Sequence, residues 1–216
     1  MSDRKLLDVG KVIKDLGMPI VSKTDMKGKI TEVNDAFLKI TGFKREDVIG
    51  KPHNIIRHPD MPKSAFSFVW DTLKNGNTWS GFVLNKAPKG EYWVYAIISP
   101  NYDRKGMVYG YTSMRYEVNP DALNTVKNLY SEMLKAEKEN VSNKEEIIAG
   151  SNILSKTLNS AGVEYDFFVR DLQKDFGKDF DPNKTLKIFK KSFFKKLFIP
   201  SVVFLILGIF FYKFVE

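Results

Sequence analysis

The chain has 216 residues, 43% hydrophobic, 13% aromatic and 28% charged, enough to bury a core and too apolar for a disordered chain. Cys is absent, which removes disulfides, thiolate metal sites, Cys nucleophiles and cysteinyl photochemistry, and two His (His53 and His58) are too few for a multi-histidine metal site. The formal net charge is +8, yet seven Lys against one Glu between 183 and 216 supply six of those charges, a local excess that points to a membrane rather than to nucleic acid.

The N-terminal segment 1–16 has no apolar stretch long enough for a signal peptide and reads as a cap on the strands after it. Residues 19–23 and 29–33 read as a β-hairpin around the turn Thr24-Asp25-Met26-Lys27-Gly28. Asn34 is placed to cap a short helix carrying Ala36, Phe37 and Ile40, which Gly42 ends. A second short helix fits 45–49. From Pro62, the apolar positions Ala65, Phe66, Phe68, Val69 and Leu73 have helical spacing, and Gly76 stops them. Three further strands fit 79–85, 92–99 and 108–116, separated by Ala87-Pro88-Lys89-Gly90 and Asp103-Arg104-Lys105-Gly106. The expected fold is α+β: a five-stranded antiparallel sheet over 17–118, with helices on one face and room for a ligand between them.

After Pro120, Leu123, Val126, Tyr130 and Met133 repeat at three and four, as in a coiled-coil seam, until Glu137 interrupts them. Ile147, Ile148, Leu154 and Leu158 resume an amphipathic pattern. Residues 119–160 therefore read as signalling helices, or equally as helices that pack on the sheet. Residues 161–196 read as an amphipathic and basic juxtamembrane stretch, with Phe167, Phe168, Phe176 and Phe180 among charges. A transmembrane helix is expected over 197–215, roughly 28 Å at about 1.5 Å per residue against a hydrocarbon core of about 30 Å. Lys184, Lys187, Lys190, Lys191, Lys195 and Lys196 precede it without acids, which puts residues 1–196 in the cytoplasm and makes a single-pass protein of the inner membrane.

The element order and the run Gly50-Lys51-Pro52-His53-Asn54-Ile55-Ile56-Arg57-His58-Pro59-Asp60-Met61-Pro62 resemble a PAS domain of the aerotaxis-receptor and energy-taxis sensor family. Asn34-Asp35-Ala36-Phe37, Thr41-Gly42-Phe43, Trp79-Ser80-Gly81 and Tyr92-Trp93-Val94 carry the same likeness. The resemblance covers 17–118. It implies a noncovalent FAD whose redox state reports on oxygen or electron transport, and it puts Arg57, His58 and Asp60 at that cofactor. Arg57 offers a planar cationic fork for a pyrophosphate or a flavin carbonyl. His58 offers a hydrogen bond or a proton, and Asp60 an acceptor for ribose or flavin N–H groups. Without the resemblance, the same residues read as a surface loop in which Asp60 caps the helix beginning near Lys63.

Trp79 suits packing on a planar ring, and Gly81 would admit a ring close to the backbone. Phe66 and Trp70 share a helical face and would close the pocket, while Asn34 is a cap first and a pocket donor second. Each of these aromatics also reads as core, and a stripe at helical spacing such as Phe66 and Trp70 is usually that. His58 also raises haem, which its proline and charged neighbours suit less well. No kinase, cyclase or phosphodiesterase motif is visible, so the chain is expected to be no enzyme. Its output would pass to a partner chemoreceptor of the methyl-accepting type or to a second copy of itself. A cofactor-free PAS interaction module on a membrane tether is the alternative.

Overall fold

The apolar alternation of the middle of the chain folds into five antiparallel strands: β1 (Ile20–Asp25), β2 (Ile30–Val33), β3 (Trp79–Ala87), β4 (Gly90–Tyr102) and β5 (Val108–Tyr116). Their order in the sheet is β2-β1-β5-β4-β3. This computed structural model describes residues 4–174, which belong to one compact unit ending at Lys174. The expected transmembrane helix at 197–215, and the basic stretch before it from 175 onward, lie outside the described residues. Among the described residues no helix is long and apolar enough to cross a membrane.

The β1–β2 hairpin turns at Gly28, whose φ of 74° is left-handed. Asn34 then bridges two elements. Its carboxamide oxygen accepts from Phe37 N at 3.1 Å, capping helix α2 (Asp35–Thr41), and from Val21 N at 3.0 Å on β1. Its Nδ2 donates to Pro19 O at 2.8 Å. Counting helix α1 (Val9–Leu16) before the sheet, the chain continues through α3 (Arg45–Val48), a 3₁₀ turn (His53–Ile56) and α4 (Lys63–Lys74). Residues 50–53 run along the free edge of β2, where Ile30 N donates to Lys51 O at 2.9 Å and His53 N to Gly28 O at 2.9 Å.

The cross-strand pairs Val83–Val94 and Gly81–Ala96 sort the sheet into two faces. Val83, Ala96, Ile98 and Ser113 face the 3₁₀ turn and α4 across a cavity. Helices do not keep to one face. Phe82, Leu84, Tyr95 and Ile97 make the opposite face as apolar as the first; α1 packs on β4 and β5, and α5 (Pro120–Lys138) reaches this side at Phe82 and Trp93. Tyr130 of α5 donates its hydroxyl to Phe82 O at 2.7 Å, and its ring lies 6.0 Å from that of Trp93. Val126, Tyr130 and Met133 are thus buried against the sheet. Helices α6 (Asn143–Ala161) and α7 (Tyr165–Gln173) complete the packing around α4, α5 and β3.

Helix α4 starts at Pro62 with no cap from its own side chains. Glu137, at the end of α5, supplies one: its carboxylate accepts from Lys63 N and Ser64 N, each at 2.9 Å, and from Ser64 Oγ at 2.6 Å. Gly150 of α6 sits over this contact, where a Cβ would overlap Ser64 Oγ and Glu137 Oε1. Gly150→Ala is therefore expected to destabilise the protein by about 1–3 kcal/mol, despite the better helix propensity of Ala, as read by chemical denaturation.

Candidate functional site

A cavity of about 250 Å³ lies between the sheet, the 3₁₀ turn and α4, and a lobe of about 90 Å³ extends it toward β1. Helical spacing puts Phe66, Val69 and Trp70 on its wall, and strand alternation puts Val83 with Asn85, Ala96 with Ile98, and Ser113 with Arg115 opposite them. The volume is just below the range of roughly 300–1,000 Å³ usual for ligand sites.

The charge inside belongs to Arg115, which is 3% exposed. Its Nη1 donates to Ser22 Oγ at 3.0 Å and its Nη2 to His53 Nε2 at 2.7 Å. Among the described residues no carboxylate pairs with it. Burial lowers its pKa to about 10, partly offset by the Tyr92 hydroxyl, so it stays cationic at neutral pH. His53 accepts at Nε2 and therefore carries its proton on Nδ1. Burial first, and then the Arg115 charge, hold its pKa down to about 3. Ser22 Oγ, 3.0 Å from His53 Nε2, closes the cluster.

Two more polar atoms in the cavity wall are buried without hydrogen-bond partners, Asn85 Nδ2 and Ser113 Oγ. Each such atom costs about 1–3 kcal/mol unless something bonds to it. With Arg115, they form a donor-rich wall facing an otherwise apolar space. It suits a flat, largely apolar ligand with carbonyl acceptors along one edge and tolerance for negative charge there.

Of the residues singled out from sequence, three line this cavity: Arg57, Phe66 and Trp70. The Arg57 guanidinium lies 4.2 Å over the Phe66 ring, and its Nη2 is 3.4 Å from Met61 O. Trp70 stands at the mouth, edge-on to Tyr111 at 5.6 Å. The other five lie elsewhere. His58 is 1% exposed and pins its loop to the β3–β4 hairpin: its Nε2 meets Glu91 Oε2 at 3.1 Å, and its Nδ1 accepts from Asp60 N at 3.1 Å. The Asp60 carboxylate points outward, half-exposed, and does not cap α4. Asn34 has its polar atoms satisfied by Pro19, Val21 and Phe37. Trp79 stacks on Tyr165 of α7 at 6.4 Å, and the bare face of Gly81 is filled by the Trp79 ring and the Tyr165 hydroxyl. The chain's own aromatics thus occupy the space that Trp79 and Gly81 open.

Sequence reading passed over Ser22, His53, Asn85, Ser113 and Arg115. One signal was available: Tyr111, Ser113 and Arg115 alternate along β5, and an Arg on the inward phase of a buried strand has to meet a partner or a ligand.

Comparison with known proteins places this site in context. The PAS fold family matches residues 30–115. The aerotaxis receptor of Escherichia coli K12 is 42% identical over 112 residues, 51% of this chain and 22% of that protein. The biofilm dispersion protein BdlA of Pseudomonas aeruginosa is 30% identical over 84 residues, 38% of this chain and 20% of that protein. The chain therefore spans about a fifth of the length of these relatives. Among solved structures, the light-state LOV domain of the photoreceptor Aureochrome1 is 19% identical, covers 53% of this chain and 93% of its own, and superposes with a TM-score of 0.47.

The His53–Arg115 contact has a consequence for stability. The unfolded chain protonates His53 near its ordinary pKa of 6.5, whereas the folded chain resists protonation down to about 3. Between those values the unfolded state binds more protons, so stability falls as pH drops from about 6.5 toward 3. In His53→Gln this part of the slope should disappear, as measured by denaturant unfolding at several pH values.

Proposed function

We propose that the chain, whose residues 30–115 match the PAS fold family and which resembles part of the aerotaxis receptor, is a redox sensor holding FAD in the cavity between the sheet and α4. The carrying observation is the donor wall: buried Arg115, beside Asn85 Nδ2 and Ser113 Oγ, with no carboxylate or other partner for these groups' spare donors among the described residues. A flavin has a flat apolar body and a dione edge of two carbonyls with an N–H between them. The Asn85 carboxamide matches that edge as both donor and acceptor, and Ser113 supplies another hydroxyl. Arg57 and Trp70, at the lip, would meet the pyrophosphate and the outer part of the ring system.

The flavin would supply the redox chemistry, and its reduction adds negative charge. The chain's part is electrostatic. Arg115 favours the more negative ligand state, because a buried guanidinium gains most from a counter-charge in a low-dielectric site. His53 stays neutral and keeps Arg115 aimed into the cavity. Any shift of Arg115 is felt along β5, which runs within a few residues into α5. Haem fits less well. His58 lies outside the cavity, and His53 is held at Nε2 by Arg115, whose charge opposes a metal ion.

We further propose that the chain is anchored in the inner membrane by 197–215, with the PAS domain in the cytoplasm, and passes its signal to a chemoreceptor-type partner. The lysine-flanked apolar run supports the anchor, and the relative named an aerotaxis receptor supports the partner class.

FAD titration of the purified chain, followed by quenching of flavin fluorescence, tests the site. Arg115→Gln should weaken binding by about tenfold or more, the scale of a lost charged hydrogen bond. Asn85→Ala should weaken FAD binding several-fold while leaving folding stability unchanged or slightly raised, since its Nδ2 has no protein partner to lose. Wild-type affinity in both variants would refute this site.

A further inference from the structure

The cavity and the helical hairpin α5–α6 meet at one short segment, Met61 to Ser64. Arg57 donates to Met61 O, and Glu137 accepts from Lys63 N, Ser64 N and Ser64 Oγ. A cavity-lip cation and a buried carboxylate from the hairpin thus hold the same entry to α4. Glu137 is 3% exposed, with its charge spent on a helix N-terminus that has no other side-chain cap. Helix α6 adds two contacts there, the ion pair from Glu146 to Lys63 and the close seat of Gly150 on Ser64. One turn further on, α4 presents Phe66, Val69 and Trp70 to the cavity.

We propose that Glu137 is a positioning residue for the cavity: from outside it, the carboxylate holds α4 and opposes the Arg57 charge, so that ligand occupancy and docking of the α5–α6 hairpin are linked. The inference rests on the reading of the cavity as a flavin site. Arg57 and Glu137 hold neighbouring residues of one segment, and across it the Glu137 charge favours the cationic form of Arg57 against the burial that disfavours it. A ligand phosphate at Arg57 draws the guanidinium away from Met61 O, and its charge opposes that of Glu137 at the entry to α4. Occupancy then loosens the grip on Lys63 and Ser64, and by reciprocity a loosened hairpin binds such a ligand more tightly.

The test uses the full chain, FAD as ligand, and amide hydrogen exchange as a second readout. Glu137→Gln keeps an oxygen to accept from Ser64 but removes the charge, and should bind FAD about threefold to tenfold tighter, the scale of freeing a partly screened cation. Glu137→Ala removes the cap as well, and exchange should quicken together at Lys63, Ser64 and the first half of α6. In the wild type, FAD should quicken exchange at 143–150. Unchanged FAD affinity in Glu137→Gln, with exchange at 143–150 indifferent to FAD, would reduce Glu137 to a simple cap and overturn the linkage. If the wild type binds no FAD, the flavin reading fails. The linkage rests on that reading and falls with it, whereas a wild type that binds FAD beside an indifferent Glu137→Gln overturns the linkage alone.

Discussion

A guanidinium buried with no carboxylate beside it among the described residues is the constraint around which this fold is arranged. Removing such a charge from water costs several kcal/mol, and neutral partners repay only part of that. Arg115 has two of them, Ser22 from β1 and His53 from the turn that runs along β2. Together they tie the 3₁₀ turn to the middle of the sheet and hold the cavity open beneath α4. The arrangement works only while His53 is neutral, and burial beside a cation keeps it so. What remains unmet is negative charge, which is what a reducible ligand with an electron-rich edge brings.

The sheet serves two apolar layers, and α4 belongs to both. Its Phe66, Val69 and Trp70 line the cavity, while Ala65 and Phe68 pack with α5, α6 and α7 in a second core. Phe68 meets Tyr165 edge-on at 4.7 Å, and Tyr165 in turn stacks on Trp79. Movement of α4 in response to the cavity is therefore resisted by the helical layer. That makes the layer a source of stability for α4 and for the cavity wall it carries.

Much of this was legible where local rules decide the outcome. Asn34 and Gly28 announce a cap and a turn, strand alternation gives five strands, and helical spacing from Pro62 puts Phe66 and Trp70 on a cavity wall. Reading failed where the deciding partner is distant in sequence. His58 looks like a ligand contact until Glu91, 33 residues away, takes its Nε2. Trp79 and Gly81 share the inward phase of β3, yet the Trp79 ring turns to Tyr165, on a helix that 17–118 does not include. The Val126–Tyr130–Met133 stripe has the spacing of a coiled-coil seam and of a helix packed on a sheet, and only the apolar outer face around Phe82 decides between them. Arg115 carried a readable signal in its inward phase, but Ser22 is 93 residues away and His53 is 62.

The central claim, that the cavity is built for a flavin, is tested most directly by an absorption spectrum of the detergent-purified full chain, followed by release and chromatographic identification of any chromophore. The account predicts oxidised-flavin bands that bleach on reduction and FAD as the released compound. A Soret band, or aromatic absorption alone that persists after reconstitution with FAD, would contradict it.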